Sequence, residues 1–263
     1  RVLFESSLKG LSAWKRVVDN RVHEILQKSN IEVYKESTLS LELVKELGIN
    51  NIFLATGSAW RKDGIGRSRR SPINGLENIT VYSPEEALEN EQNIKDTVVI
   101  YDDEQGYLAG VLADHLSAKG VKVVFITPAS VVSPWTDSTL EQKRVQRALI
   151  DSGVKIICNQ SINKIENETA FLECVYTGNI SKHECKSIVM VTERISSTAL
   201  YESLINNNSE VKTKQNIKII GDAEAPGLIA DAVYLGHLAA QNFEAEETDI
   251  QRGMFMREMP SLK

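Results

Sequence analysis

The sequence predicts an α/β fold: two nested Rossmann-like dinucleotide-binding-type domains with an antiparallel β-meander, the first domain incomplete, its initial βαβ missing. Three observations lead there. Asn51-Ile52-Phe53-Leu54-Ala55-Thr56-Gly57-Ser58 reads as a buried strand running into a glycine turn. Far downstream, Ile217-Lys218-Ile219-Ile220-Gly221-Asp222-Ala223 repeats that form and opens an amphipathic helix. The N–H groups at such a helix start are expected to be free to meet an anion. Between the two corners, Thr97–Tyr101, a helix from Tyr107 to Ala118 and Val121–Ile126 give a βαβ pattern, hence a parallel pair with a right-handed crossover.

The other elements follow from spacing. Leu11, Trp14, Val17, Val18, Val22, Ile25 and Leu26 recur at helical intervals across residues 8–28. Ile31-Glu32-Val33-Tyr34 alternates as a short strand, and Leu41 to Leu47 forms a helix ending near Gly48. Gly64 to Gly75 is a long loop, and Ser83-Pro84-Glu85-Glu86 has the cap-then-proline start of a helix. Leu140 to Asp151 is a helix stopped by Gly153, before the strand Val154–Ile157. Ile162–Ile165, Ala170–Val175 and Cys185–Val191 form the meander, with turns at Glu166-Asn167-Glu168 and Thr177-Gly178-Asn179. Asn206-Asn207-Asn208-Ser209 is a polar connector. The domains then run 1–93 plus 213–246 for the FAD/ADP-binding type, 94–212 for the NAD(P)-binding-like insert, and 247–263 for a tail.

Composition narrows function. The 263 residues are 42% hydrophobic and 25% charged, as in ordinary globular proteins. A net charge of −6 argues against nucleic acid, and the basic run Arg67-Ser68-Arg69-Arg70 sits among turn formers as a solvated loop. No apolar run approaches the roughly 20 residues that span a bilayer. Cys158, Cys174 and Cys185 have no metal spacing and suit a reducing cytoplasm. The chain opens on Arg1 in mid-pattern, which reads as part of something longer.

The insert's turn, Tyr101-Asp102-Asp103-Glu104-Gln105-Gly106-Tyr107-Leu108-Ala109-Gly110, keeps two glycines of the G-x-G-x-x-G fingerprint. Three carboxylates crowd it, each repelling a diphosphate by about 1 kcal/mol or more per close pair. The second strand ends in Thr127-Pro128 with no acid. The unit is therefore expected to keep the fold and lose nicotinamide binding. Its acids are read as solvated, or as holding a divalent cation. Asp222 is placed to accept ribose or ribityl hydroxyls, or to act as a helix N-cap worth about 1 kcal/mol. Thr56-Gly57 is either a tight turn or a close approach to a nucleotide. His237 reads as structural, beside Gly236 that lets the helix pack closely. His23, His115 and His183 fall on polar faces or in a turn. Trp14, Trp60 and Trp135 read as packing residues, the first two with adenine stacking as the alternative. No triad, paired-carboxylate, P-loop or metal set emerges, and no catalytic residue is assigned.

These segments resemble the C-terminal region of the trimethylamine/dimethylamine/histamine dehydrogenase group, within the NADH:flavin oxidoreductase and 2,4-dienoyl-CoA reductase family. The resemblance lies in Leu11-Ser12-Ala13-Trp14 with Asp19-Asn20-Arg21-Val22, Phe53 through Arg61, Asp102-Asp103 through Gly110, Ser133-Pro134-Trp135-Thr136 with Thr139-Leu140-Glu141, and Gly221 through Asp231 with Gly236-His237. It implies an N-terminal barrel with FMN and the amine site, then cysteines for a 4Fe–4S cluster, then a glycine fingerprint for FAD or ADP, all outside this sequence. By position, Thr56, Gly57, Gly221, Asp222 and Ala223 would border an ADP or FAD pocket, with binding weak or absent in this stretch alone. Electrons would leave through an electron-transferring flavoprotein. Self-association, as a homo-oligomer, is expected from bared strand edges. The alternatives are a fragment of an NAD(P)H-dependent enoyl- or dienoyl-CoA reductase-like flavoenzyme, and a non-catalytic nucleotide-binding or interaction module.

Overall fold

The computed structural model describes residues 1–94, 96–208 and 216–243. In chain order the elements are α1 Val2–Ser7, α2 Arg16–Leu26, α3 Leu41–Leu47, β1 Asn51–Leu54, β2 Ser58–Trp60, β3 Thr80–Tyr82, α4 Pro84–Glu89, β4 Val98–Asp102 and α5 Leu108–Ala118. They continue with β5 Val123–Ile126, α6 Gln142–Asp151, β6 Lys155–Ile157, β7 Gln160–Glu166, β8 Thr169–Cys174 and β9 Ile180–Glu184. Last come β10 Ser187–Val191, β11 Arg194–Ser196, α7 Ala199–Asn208, β12 Asn216–Ile219 and α8 Ile229–Gln241. No described helix is long and apolar enough to cross a membrane.

The chain forms two compact units. One comprises Arg1–Lys35 and Trp60–Ile195; the other comprises Glu36–Ala59 and the chain from Ser196 onward. The expected boundaries, at 93/94 and 212/213, differ from these. Leu8 and Leu11 pack into the larger core, and β3 belongs to the larger sheet. Both place residues before 94 with the insert. The expected tail, 247–263, lies outside the described residues.

The larger unit is built on a parallel sheet in the order β3-β10-β4-β5-β6. β4, β5 and β10 read VVIYD, VVFI and SIVMV and are buried almost throughout, as continuous apolar runs are when helices or strands cover both faces. Alternate side chains divide between the faces. Val98, Ile100, Val123, Phe125 and Val189 meet Leu112 and Leu116 of α5 and Val145 and Leu149 of α6. Val99, Tyr101, Val124, Ile188 and Met190 meet Ile162, Ile165, Ala170 and Leu172 of the meander. Each such fully buried side chain contributes about 1.5–3 kcal/mol.

Several expectations need correction. The third meander strand is β9, paired antiparallel with β8, whereas residues 187–191 return to the middle of the parallel sheet. The uniformly apolar SIVMV needs cover on two faces; the polar ISKHE, largely exposed, does not. Residues 8–28 are broken at Gly10, whose φ is 85°, so the helix begins only at Arg16. Residues 31–34 have no ladder partner among the described residues, and Tyr34 is 75% exposed; alternation alone cannot make a strand without a neighbour. Asn206–Asn208, read as a connector, belong to α7, and Ser209 lies outside the described residues. The capped start at Ser83 is present: its hydroxyl accepts from the Glu86 N–H and the Glu86 carboxylate accepts from the Ser83 N–H.

The smaller unit pairs β1 with β12 in parallel, Ile52 opposite Ile217 and Leu54 opposite Ile219. Val44 of α3, Leu204 of α7, Ile52, Leu54 and Ile217 form its core. α3 starts on the Ser40 hydroxyl and ends at Gly48 in the left-handed region.

Two glycines separate backbone strain from crowding. Gly75 and Gly178 have φ of 88° and 71°, but a methyl on Gly75 would lie 1.9 Å from the Ile165 carbonyl oxygen, while Gly178 faces open space. Gly178→Ala should cost about 1–2 kcal/mol, the left-handed penalty. Gly75→Ala should cost distinctly more, because the bridge between Asn74 and Lys164 must shift. Urea melts of the two variants measure the difference.

Candidate functional site

In the smaller unit the two distant corners meet. The Ile220 N–H continues the ladder by donating to the Leu54 carbonyl at 2.9 Å, so the turns after β1 and β12 leave the sheet side by side. The Ser58 hydroxyl donates to Asp222 Oδ2 at 3.4 Å. The Thr56 hydroxyl donates to the Ser197 carbonyl at 2.6 Å, and the Ser197 N–H donates to the Gly57 carbonyl at 2.9 Å. The Ser196 hydroxyl reaches the Asp222 carbonyl at 3.2 Å. Gly221, Asp222 and Ala223 are buried, Gly57 is half-buried and Thr56 is exposed.

Gly57 and Gly221 have φ of 77° and 63°; a methyl on Gly57 would meet nothing within 4 Å, and one on Gly221 would make ordinary contact with Ala232. Thr56, Gly57, Gly221, Asp222 and Ala223 thus stand together. The partners Ser58, Ser196 and Ser197 were not singled out from sequence; a lone serine carries no signal until the ladder brings it opposite Asp222.

The start of α8 departs from expectation. Asp222 is not its N-cap, because the helix begins seven residues later, at Ile229. Asp222 Oδ1 instead accepts from the Gly227 N–H at 3.2 Å, closing the intervening turn. Asp231 Oδ2 accepts from the Leu228 N–H at 2.7 Å. Two N–H groups ahead of the helix are therefore taken by carboxylates rather than left for an anion. Gly236 meets nothing within 4 Å and His237 is exposed, so neither packs as expected. A groove of about 330 Å³ opens between Tyr201, Ile217, Leu235 and Leu238; none of the five predicted residues lines it.

The larger unit's corner, at the end of β4, is a closed polar knot rather than a solvated turn. Asp102 and Asp103 are fully buried. Asp102 Oδ1 accepts from the Gln105 N–H at 2.7 Å, while Oδ2 has no partner. Burial pushes the Asp102 carboxyl well above the usual carboxylate range, against the pull of the Gln105 N–H and of Arg67. Asp103 is also raised by burial, although the Ser68 hydroxyl and N–H hold its charged form at 2.5 and 2.9 Å. Glu104 is raised by burial against the charges of Arg194, Arg1 and Arg67.

The basic run is a largely exposed loop, as expected, with Arg67 and Arg69 also tied to backbone carbonyls. Arg67 donates to the Glu104 carbonyl at 3.0 Å and stacks 4.9 Å from the Trp135 ring centre. Arg69 donates to the Ile162 and Ser71 carbonyls. Trp14 packs edge-on to Tyr107 at 5.1 Å, and Trp60 lies under Arg194. Among the described residues no group of three or more His, Cys, Asp or Glu is arranged to hold a metal. Cys158, Cys174 and Cys185 are unpaired thiols.

Residues 5–233 match the family described as pyridine nucleotide-disulphide oxidoreductase. A dimethylamine dehydrogenase of Hyphomicrobium sp. (strain x) is 26% identical over 274 residues, covering 94% of this chain and 37% of that protein. Among solved structures, histamine dehydrogenase from Rhizobium sp. 4-9 is 38% identical with a TM-score of 0.90, over 94% of this chain and 39% of its own. The 6-hydroxypseudooxynicotine amine oxidase of Pseudomonas geniculata N1 is 32% identical with a TM-score of 0.86, over 93% and 36%. The chain thus spans little more than a third of these relatives' length.

The buried acid makes a pH prediction. A carboxyl whose folded pKa is raised lets the folded state hold its proton longer than the unfolded state does, so its contribution falls as pH rises from about 4 through the raised pKa. Asp63, Glu86 and Glu91 are lowered and act with the opposite sign, so only a difference between proteins isolates Asp102. Asp102→Asn keeps an acceptor for Gln105 and removes the buried charge. Its melting temperature should match the parent at pH 4 and exceed it at pH 7 by several degrees, roughly 2–4 °C per kcal/mol. Calorimetric scans across that range measure the gap; one that does not widen with pH would disprove the assignment.

Proposed function

Since this chain belongs to the pyridine nucleotide-disulphide oxidoreductase family and is homologous to dimethylamine and histamine dehydrogenases, we propose that it is the C-terminal nucleotide-binding portion of an iron–sulfur flavoprotein oxidising an N-methylated or other small amine. The likeness to histamine dehydrogenase over nearly the whole chain carries this reading. FMN and a 4Fe–4S cluster, held by parts outside this sequence, would supply amine oxidation and single-electron transfer. An electron-transferring flavoprotein is the proposed acceptor, and the cytoplasm, favoured by three unpaired thiols, is the proposed compartment.

The role of this chain is to hold ADP or FAD at the paired corners. Asp222 fits a ribose or ribityl diol. Its two carboxyl oxygens are held in place by the Ser58 hydroxyl and the Gly227 N–H. Gly57 has the open space that lets backbone approach a nucleotide. Thr56 fixes the turn through Ser197, and the small, buried Ala223 keeps bulk out of the corner. The carboxylates around the start of α8 favour the hydroxyl-bearing part of the ligand there over its diphosphate. Domain assignment as a FAD/ADP-type unit paired with an NAD(P)-type unit is part of the same proposal.

The reductase alternative requires NAD(P)H at the β4 corner, which buried carboxyls disfavour. A non-catalytic module remains distinguishable by activity. Calorimetry of this chain with ADP and FAD should give weak saturable heat, and Asp222→Ala should weaken it about tenfold, the value of one hydrogen bond to a charged group. The longer enzyme should oxidise a small amine with electron-transferring flavoprotein as acceptor; strict dependence on NADPH would overturn the reading.

A further inference from the structure

The parallel sheet changes direction at one place. From β4 the chain steps outward through β5 and β6, whereas β10 and β3 lie on the other flank, so the switch falls between β4 and β10. In open α/β sheets the crevice beyond the carboxyl ends of the strands flanking such a switch is where a ligand enters. Here that crevice is bounded by Asp102 at the end of β4, Asp103 just after it and Thr192 after β10, all buried. The chain's own Gly66, buried, and Ser68, exposed, lie against it.

A methyl on Gly66 would stand 2.5 Å from Asp103 Oδ2 and 3.1 Å from Thr192 Cβ, so the backbone of this segment lies directly against both strand ends. Ser68 donates twice to Asp103, through its N–H and its hydroxyl. The segment is also tied down on either side. The Gly66 N–H donates to the Arg69 carbonyl at 3.0 Å, Arg67 donates to the Glu104 carbonyl, and Arg69 donates to the Ile162 carbonyl at 3.2 Å. The turn folds inward as well: a methyl on Gly106 would stand 2.5 Å from Glu104 Oε2.

We propose that Gly64–Pro72 is a built-in plug, with Gly66 and Ser68 occupying, between β4 and β10, the space through which the diphosphate of a nicotinamide dinucleotide would enter. Nicotinamide cofactors are then excluded by occupation, in addition to the missing fingerprint glycines. The plug is independent of the amine-dehydrogenase reading and stands or falls with the geometry of one unit.

Carboxyl labelling tests it, using a water-soluble carbodiimide with glycine ethyl ester and peptide mass spectrometry. In the native chain Asp103 should react at least roughly tenfold more slowly than exposed Asp137, and the Ser68 amide should be protected from hydrogen exchange. Gly66→Ala, which forces the segment off Asp103, should raise Asp103 labelling and Ser68 exchange roughly fivefold or more while β4 and β5 stay protected. Ser68→Ala, which removes one hydroxyl and leaves the backbone alone, should raise Ser68 exchange to a smaller degree. Three results would overturn the plug: native Asp103 labelling as fast as Asp137, both variants matching the native chain, or saturable binding of NADH or NADPH to the native chain with protection at 103–110.

Discussion

Parallel pairing is the constraint from which the organisation follows. Two parallel neighbours cannot be joined by a tight turn and need a long excursion between them. β1 and β12 are parallel neighbours, so everything from Ala55 to Gln215 in sequence is an excursion, long enough to contain a second sheet. The same rule operates inside that sheet, where β10 inserts between β3 and β4 and the chain leaves to build β5, β6 and the meander before returning. Nesting is therefore a consequence of strand direction. It also explains how Thr56-Gly57 and Gly221-Asp222 come to share one corner without any local sequence relation.

What the sequence made legible was whatever a short window determines. Continuous apolar runs located β1, β4 and β5, the isoleucines ending in Gly221-Asp222 located β12, and capping chemistry located the helix at Ser83. The position of β10 was not legible, because Cys185–Val191 follows a hairpin closely and looks like its next strand. The deciding fact is which strands cover its two faces, and that is tertiary. β3 escaped because three residues carry no periodicity, and α7 because its Asn206-Asn207-Asn208 end mimics a connector. At the site, Asp222 and Gly57 were visible through their turn chemistry. Ser58 and Ser68 were not, since each acts on a carboxylate that only the fold brings near.

The carboxylate turn illustrates how the same chemistry reaches its effect by another route. Solvated charges at Asp102, Asp103 and Glu104 would repel a diphosphate by about 1 kcal/mol per close pair. Burial raises all three groups toward their neutral forms, which shrinks the Coulomb repulsion. It also adds a different cost, because an unpartnered buried oxygen such as Asp102 Oδ2 is worth about 1–3 kcal/mol of lost hydration. In the plug proposed above, packing rather than charge would carry the exclusion. Arg67 and Arg194 temper what charge remains, and this accounts for a basic run placed beside an acidic turn in a chain that is acidic as a whole.

Glycine is the residue whose meaning differs most between the two corners. In a nucleotide turn a glycine matters for the space its missing side chain leaves. At Gly57 that space is empty, and at Gly221 it borders only Ala232 at an ordinary distance. At Gly66 and Gly106 the same space already holds Asp103 and Glu104, and at Gly110, inside α5, it holds Val145 of α6. An external group can enter where the space is vacant; where the chain's own side chains border it, an added group must first displace them. Counting glycines against a fingerprint does not separate these cases, because the pattern records where side chains are absent and says nothing of what replaced them. The contact that each absent methyl would have made does separate them: open space at Gly57, an ordinary contact at Gly221, and the chain's own side chains at Gly66 and Gly106.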